Sequence, residues 1–400
     1  MSGLRSFLQR ALPLLAAFVY GLAVSLGVFT GGLWATLGIG GAVLLFLGVV
    51  AMDGKMPAPA KSFSHFAFAV LLVFAAELPL SPHGALSLKV WLNLVSTFLP
   101  LLLLTAPRLQ SVAFSKSFVP VVAAATAIGA VALGAELSSG GYLLHALKKP
   151  NASLTEYNRG IAHVVILVFP LLAGLWISGK RKQAGALALT LLFPTSLTES
   201  HTAKLALIVG LACAAFAFYR PTWVRRGLAL GLIALAGWPF YAQHMFSTAP
   251  ELVAKLHDSW RHRLEIWDFL SYRIAERPVF GWGLGTTPML DFTKPHGEMY
   301  RFAVQAAPHA HNFIVELWVE TGLLGLVIGI VFLLWTLRRI GRLQKELQPF
   351  ALACFAAAVT VCMFGFNFWT DALWAAFALS AFVFGMLERQ GKGGEDIVRI

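Results

Sequence analysis

The chain has 400 residues, of which 58% are hydrophobic and 12% charged, with a formal net charge of +12. Apolar runs of about 20 residues recur along most of its length, more apolar surface than a water-soluble core can absorb, so a soluble fold is excluded. The basic excess marks topology before it marks a nucleic-acid partner, because it is spread over short connections between apolar runs.

In chain order, twelve spans are predicted, near 11–30, 32–52, 63–80, 88–106, 117–137, 160–178, 183–198, 203–219, 226–243, 311–335, 349–368 and 370–387. The expected fold is all-α, a polytopic membrane protein forming a single integral domain over residues 1–400. Cys213, Cys354 and Cys362 lie inside apolar runs with no CxxC or His/Cys metal spacing, and read as structural thiols. An even number of spans puts both termini on one side. Nineteen of the 31 Lys and Arg residues fall on that side, in short connections such as SGKRKQ and LRRIGRLQK, so it is expected to be cytoplasmic. The first apolar run has no small-residue cleavage site and is followed at once by the second, which reads as a span and not as a cleaved signal.

The remaining cations cluster on the outer side. Lys89 begins the fourth span, Lys148, Lys149 and Arg159 accompany the loop near 138–157, and Lys204 begins the eighth span. Lys255, Arg261, Arg263, Arg273, Arg277, Lys294 and Arg301 fill one long loop, 244–310, between the ninth and tenth spans. The positive-inside rule predicts few cations there, so an anionic partner outside the membrane is expected. In that loop Leu252, Leu256, Trp260, Leu264, Trp267, Leu270 and Ile274 recur at helical spacing, predicting one helix ended by Pro278. Arg263 shares the face of Trp260 and Trp267 and needs a partner there, either a phosphate-bearing substrate or a lipid headgroup or helix end. GWGLG at 281–285 lacks the G-x-G-x-x-G order and reads as a turn that permits close backbone approach.

Next comes PHAHNFIVELWVETGLLG, from Pro308 to Gly325. Pro308 is expected in the first turn of the tenth span, with His311 about one turn in. There the helix dipole and nearby arginines disfavour imidazolium, leaving a neutral imidazole suited to general-base work. Other readings stand beside it: an interfacial histidine without a role, half of a metal site with His309, or Asn312 as a helix cap. Two residues apart on a helix diverge by about 200°, which argues against His309 and His311 acting as a chelating pair. Glu320 is expected to anchor the helix, while Glu316 could be either structural or functional.

These elements together resemble the bacterial O-antigen ligase family, in the wider superfamily of O-antigen polymerases and protein O-oligosaccharyltransferases. His311-Asn312, nine residues, Gly322, two residues and Gly325 fit its pattern H-[NSQ]-x9-G-x-x-[GTY], and RLEIW and RPVFGWGLG are similar to its R-x-x-x-W and P-x-x-G-x-G elements. The motif-bearing core would run over 197–330. The resemblance implies a GT-C-like glycosyltransferase in the bacterial inner membrane with its active site facing the periplasm. It would move a polysaccharide from undecaprenyl diphosphate to the lipid A core oligosaccharide, with inversion and with neither metal nor cofactor. His311 matches the base, Arg263 a diphosphate-binding arginine and Arg159 a second, with Lys89 as a further cation and Arg261, Asn312, His309 and Trp267 in support. One departure is SHTAKLAL, where His201 stands at a position that many relatives fill with arginine; Lys204 follows as a point charge without a bidentate fork. An O-antigen polymerase or a protein O-oligosaccharyltransferase would use the same chemistry. A lipid or solute transporter is the alternative of another class, and would show charged pairs near the midplane and repeated halves.

Overall fold

The computed structural model describes residues 2–30, 32–147 and 152–397; Lys148 and Lys149 lie outside them. The described residues form helices and turns without a strand. In order these are α1 (Ser2–Gly27), α2 (Gly32–Asp53), α3 (Lys61–Glu77), α4 (Gly84–Leu103), α5 (Pro107–Ala113), α6 (Phe118–Ser138), α7 (Tyr142–Leu147), α8 (Asn158–Ile177), α9 (Arg181–Leu197) and α10 (His201–Tyr219). They continue with α11 (Pro221–Leu235), α12 (Trp238–Thr248), α13 (Pro250–Lys255), α14 (Asp258–Glu276), α15 (Phe313–Ile340), α16 (Gln348–Phe364) and α17 (Asp371–Ile397). Helices are what lipid demands, since each backbone N–H must find its carbonyl within the segment.

Nine helices among the described residues are long and apolar enough to cross a bilayer, which makes the chain a multi-pass membrane protein. The expected seventh, ninth and eleventh spans correspond to shorter helices, α9 with 17 residues, α11 with 15 and α16 with 17. The spans are not equivalent. In α8, 89% of the apolar window is buried, against 17% for α3, so α8 is the axis of the bundle and α3 part of its rim. Around α8 pack α6, α9, α10, α16 and α17.

Two predicted elements break. The span expected over 226–243 ends at Leu235 and resumes at Trp238 as α12. Pro239 is the reason, because its ring would meet the carbonyl of Leu235 four residues earlier and it has no N–H to donate. The single helix expected over 252–274 divides at Leu256, whose backbone is extended, and α14 starts afresh after His257, whose Nδ1 accepts from Ser259 N at 3.3 Å.

The segment between α12 and α15 is ordered around its own small core, in which Phe246, Val253, Trp267, Leu270, Leu290 and Tyr300 pack against Val315 and Val319 of α15. Two buried carboxylates of α14 fasten its return strand of chain. Glu265 accepts from the backbone N–H groups of Arg301, Phe302 and Ala303 at 2.9, 2.8 and 2.7 Å, and Asp268 accepts from the Tyr300 hydroxyl at 2.6 Å. Ordering this segment places α14 and its arginines against the start of α15.

Candidate active site

The site begins with a correction. His311 is not inside the tenth span: α15 starts at Phe313, and Asn312 is its N-cap, its Oδ1 accepting from Ile314 N at 2.9 Å and Val315 N at 3.3 Å. Nor does Pro308 open a helical turn; residues 308–311 form an irregular approach. His311 has φ of 52°, the one positive-φ residue other than glycine among those described. Such a conformation is strained for a histidine and persists only where its surroundings over-determine it.

Those surroundings are visible. The Trp267 indole N–H donates to the Ala310 carbonyl at 2.8 Å, Asn312 is locked as the cap, and His311 Nδ1 lies 2.7 Å from the carbonyl oxygen of Gly365. A carbonyl oxygen only accepts, so Nδ1 carries the proton and Nε2 keeps its lone pair. This tautomer leaves Nε2 as the nitrogen able to take a proton from a substrate hydroxyl. His309, expected to diverge from His311, instead meets it: the residues are not on a helix, and His309 Nε2 is 3.1 Å from His311 Nδ1 with ring centroids 4.0 Å apart. That position lets His309 share the Nδ1 proton without competing for Nε2.

Burial pushes the His311 imidazole down to about 4, opposed by the Gly365 carbonyl and assisted by the charge of Arg263 and by His262. The direction is the one expected from the sequence, but desolvation is the leading cause, ahead of the arginine. His309 is lowered to about 3, again chiefly by burial, with His311 and Arg159 next.

Arg263 and Arg159 therefore both bring positive charge close to the histidines. The guanidinium of Arg263 lies over the Trp260 ring at 5.9 Å and donates to the Ser259 carbonyl at 3.0 Å and to its hydroxyl, while its buried Nε has no partner among the described residues. Arg159 lies 5.9 Å from the centre of the Phe366 ring. Among the described residues no carboxylate pairs with either arginine. By contrast Arg261, named beside them from the sequence, is occupied: it pairs with Glu265 at 3.2 Å and donates to the Met299 carbonyl at 2.8 Å. Lys204 sits half-buried in the first turn of α10 and Lys89 is exposed on α4. Neither has a hydrogen bond or ion pair to the histidines or to Arg263 among the described residues. His201 faces the ring of His257 at 6.2 Å.

The two glycine motifs prove to be one joint. Gly322 bends α15 with φ of 65° and ψ of −168°, freeing carbonyls of the preceding turn. Trp282 N donates to Val319 O at 2.9 Å and Gly283 N to Glu320 O at 2.7 Å, while Leu323 N donates back to Pro278 O at 2.8 Å. A Cβ on Gly281 would stand 2.5 Å from the backbone of Glu320, and one on Gly322 only 2.0 Å from the carbonyl oxygen of Val279, so only glycine permits the approach. Glu320 completes the joint, accepting from Gly285 N, Thr287 N, Thr287 Oγ1 and Trp369 Nε1 at 2.6, 3.1, 2.6 and 2.6 Å.

Sequence reasoning overlooked the segment Phe364–Trp369. The usable signal was GFNFWT, a glycine and an aromatic cluster between two apolar runs. It also overlooked His262. Among the described residues no group of three or more His, Cys, Asp or Glu side chains is placed to hold a metal ion.

Known proteins similar to this chain point to a polysaccharide-transferring family. Residues 185–330 match the family model described as O-antigen ligase. Curated relatives whose names include the words polysaccharide ligase are found in Rickettsia conorii, 26% identical over 246 residues, and in Rickettsia bellii, 26% identical over 258 residues. The first alignment covers 58% of this chain and 58% of the relative, the second 61% of each. The match to the family model takes in Arg263, the glycine joint and His311, and leaves Arg159 and the 364–369 segment outside. These matches support the O-antigen ligase family for this chain.

Proposed function

We propose that this chain is a glycosyltransferase of the O-antigen ligase type. Its donor is a polysaccharide on undecaprenyl diphosphate, its acceptor the lipid A core oligosaccharide, and the reaction takes place on the periplasmic face of the inner membrane, with both termini cytoplasmic. One observation carries the reading: a neutral imidazole, protonated on Nδ1 with its lone pair on Nε2, stands within electrostatic reach of an arginine that no carboxylate neutralises among the described residues.

His311 Nε2 accepts the proton of the acceptor hydroxyl as its oxygen attacks the anomeric carbon. The bond from that carbon to the diphosphate oxygen breaks on the opposite face, so the configuration inverts. In the periplasm no ATP is available, and the energy resides in the donor's diphosphate leaving group. Its departing charge is met by Arg263 and Arg159, fixed cations that need no reorganisation at the moment of reaction. Their poses on Trp260 and Phe366 hold the guanidiniums without neutralising them. The membrane supplies orientation, because both lipid-anchored substrates present their reacting ends at one depth.

The test is a purified-protein assay with lipid-diphosphate glycan and three acceptors in parallel: rough lipopolysaccharide, a second donor chain and a pilin-like protein. Extension of the lipopolysaccharide is expected. Extension of the donor chain alone would make the protein a polymerase, and of the pilin alone a protein glycosyltransferase.

A further inference from the structure

The turn between α16 and α17 touches both halves of the proposed site. Gly365 O receives the His311 Nδ1 proton, and the ring of the next residue, Phe366, lies under the Arg159 guanidinium. A shift of this turn would therefore move the base and the phosphate cation together. Its own anchoring comes from three helices. Thr202 Oγ1 of α10 donates to Phe364 O at 2.7 Å, and Trp374 Nε1 of α17 donates to Phe368 O at 2.9 Å. From α15, Glu320 holds the Trp369 indole, and Glu316 Oε2 accepts from Phe368 N at 3.2 Å.

Glu316 is the member of this set with no other described task. It is completely buried, Phe368 N is the partner of Oε2, and Oε1 has none among the described residues. Burying a carboxylate in a membrane helix is costly, and such a residue persists where its contact matters to function. Glu320 differs, since it also ties the glycine joint. Glu316 lies one turn beyond the Asn312 cap, its N–H bonded to Asn312 O at 2.9 Å, so it reaches the turn from the same rigid helix start that fixes His311.

We propose that Glu316 is a positioning residue. By holding Phe368 N it keeps the 364–369 turn seated, so that Gly365 O selects the Nδ1-protonated tautomer of His311 and Phe366 keeps Arg159 in register with it. The catalytic consequence rests on the transfer reading above; the structural one does not. What the turn needs from position 316 is a hydrogen-bond acceptor, so glutamine serves in place of glutamate, whereas an apolar side chain of similar size does not.

The experiment is nitrogen NMR of histidine-labelled full-length protein in lipid nanodiscs, with the His311 resonances assigned by loss in His311→Ala. Wild type and Glu316→Gln are expected to show a single Nδ1-protonated His311, and Glu316→Met a mixture of tautomers. In the transfer assay Glu316→Met should lose at least tenfold in kcat with little change in the donor KM, and Glu316→Gln should recover most of it. A wild-type His311 protonated on Nε2 overturns the proposal whatever the variants do, and this requires no variant to fold. An unchanged tautomer in folded Glu316→Met overturns it too, even where activity falls. If instead the tautomer shifts as expected but His311→Ala transfers glycan normally, the function reading fails and the positioning stands.

Discussion

Trp282 N donates to Val319 O at 2.9 Å, joining the loop glycine motif to the bend of the tenth expected span. Two sequence elements that lie about forty residues apart are thereby one mechanical unit, closed by Gly322 and Glu320.

The joint makes Gly322→Ala a test of the fold. The added methyl would meet the Val279 carbonyl oxygen and occupy a backbone region disfavoured for alanine. We expect destabilisation of about 1–3 kcal/mol from the conformation alone, with the clash in addition. Thermal unfolding in detergent should show a lowered midpoint; a wild-type midpoint would mean that the joint bears no strain.

His311→Ala should abolish transfer while the protein still inserts and folds. Loss of a general base costs roughly 10²–10⁴-fold in rate. The variant removes the hydrogen bond to the Gly365 carbonyl, so the melting curve should show a small loss, about 0.5–1.5 kcal/mol, beside the loss of activity. Normal capping of lipopolysaccharide with O antigen in a strain carrying only this variant would remove His311 from the mechanism.

Arg263→Lys should impair turnover on the order of a hundredfold, as for a lost oxyanion donor. Lysine keeps the charge but loses the planar fork that lies over Trp260 and that can grip a phosphate through two N–H groups. The measurement is kcat/KM with the lipid-diphosphate donor, and a value within twofold of wild type would contradict the assignment.

Burial sets the pH response. A base works only when deprotonated, so the rate falls as pH drops through its pKa, and with His311 near 4 the acidic limb of kcat/KM should lie well below the ordinary histidine value of 6.5. Activity should therefore be nearly flat from about pH 7 down to about pH 5. A limb centred on 6.5 would show that His311 is solvated or that another group is the base.

Glu265→Ala tests the segment that carries Arg263. The substitution leaves three backbone N–H groups of residues 301–303 without their acceptor, at about 1–3 kcal/mol for each group that stays buried. Limited proteolysis should cut the 291–303 region faster than in wild type. Unchanged cleavage would place the anchoring of that region elsewhere.

Much of the molecule follows from local chemistry, and that part could be read without coordinates. Apolar runs long enough for a bilayer can only become helices, because lipid leaves the backbone no other partner. The spacing of His311, Asn312, Gly322 and Gly325 is local as well, and so is the placement of Arg263 four residues before Trp267 on α14. Departures arose where a local rule met a packing contact. Pro308 suggested a helical turn, yet the Trp267–Ala310 and His311–Gly365 bonds hold the chain irregular until the Asn312 cap. The angular argument that separated His309 from His311 was sound for a helix and failed because neither residue is in one.

The sequence by itself determined that the chain spans a membrane through helices, that a long basic segment stands outside the bundle, and that a histidine and an arginine in that region are the groups to test. Only the tertiary structure decided the protonated nitrogen of His311, the lack of a carboxylate partner for Arg263 among the described residues, the occupation of Arg261 by Glu265, and the service of one turn, Phe364–Trp369, to both base and cation. The reason is physical: tautomer, desolvation and charge pairing depend on atoms brought together from positions 159, 263, 311 and 365, and no local pattern encodes which of them will meet.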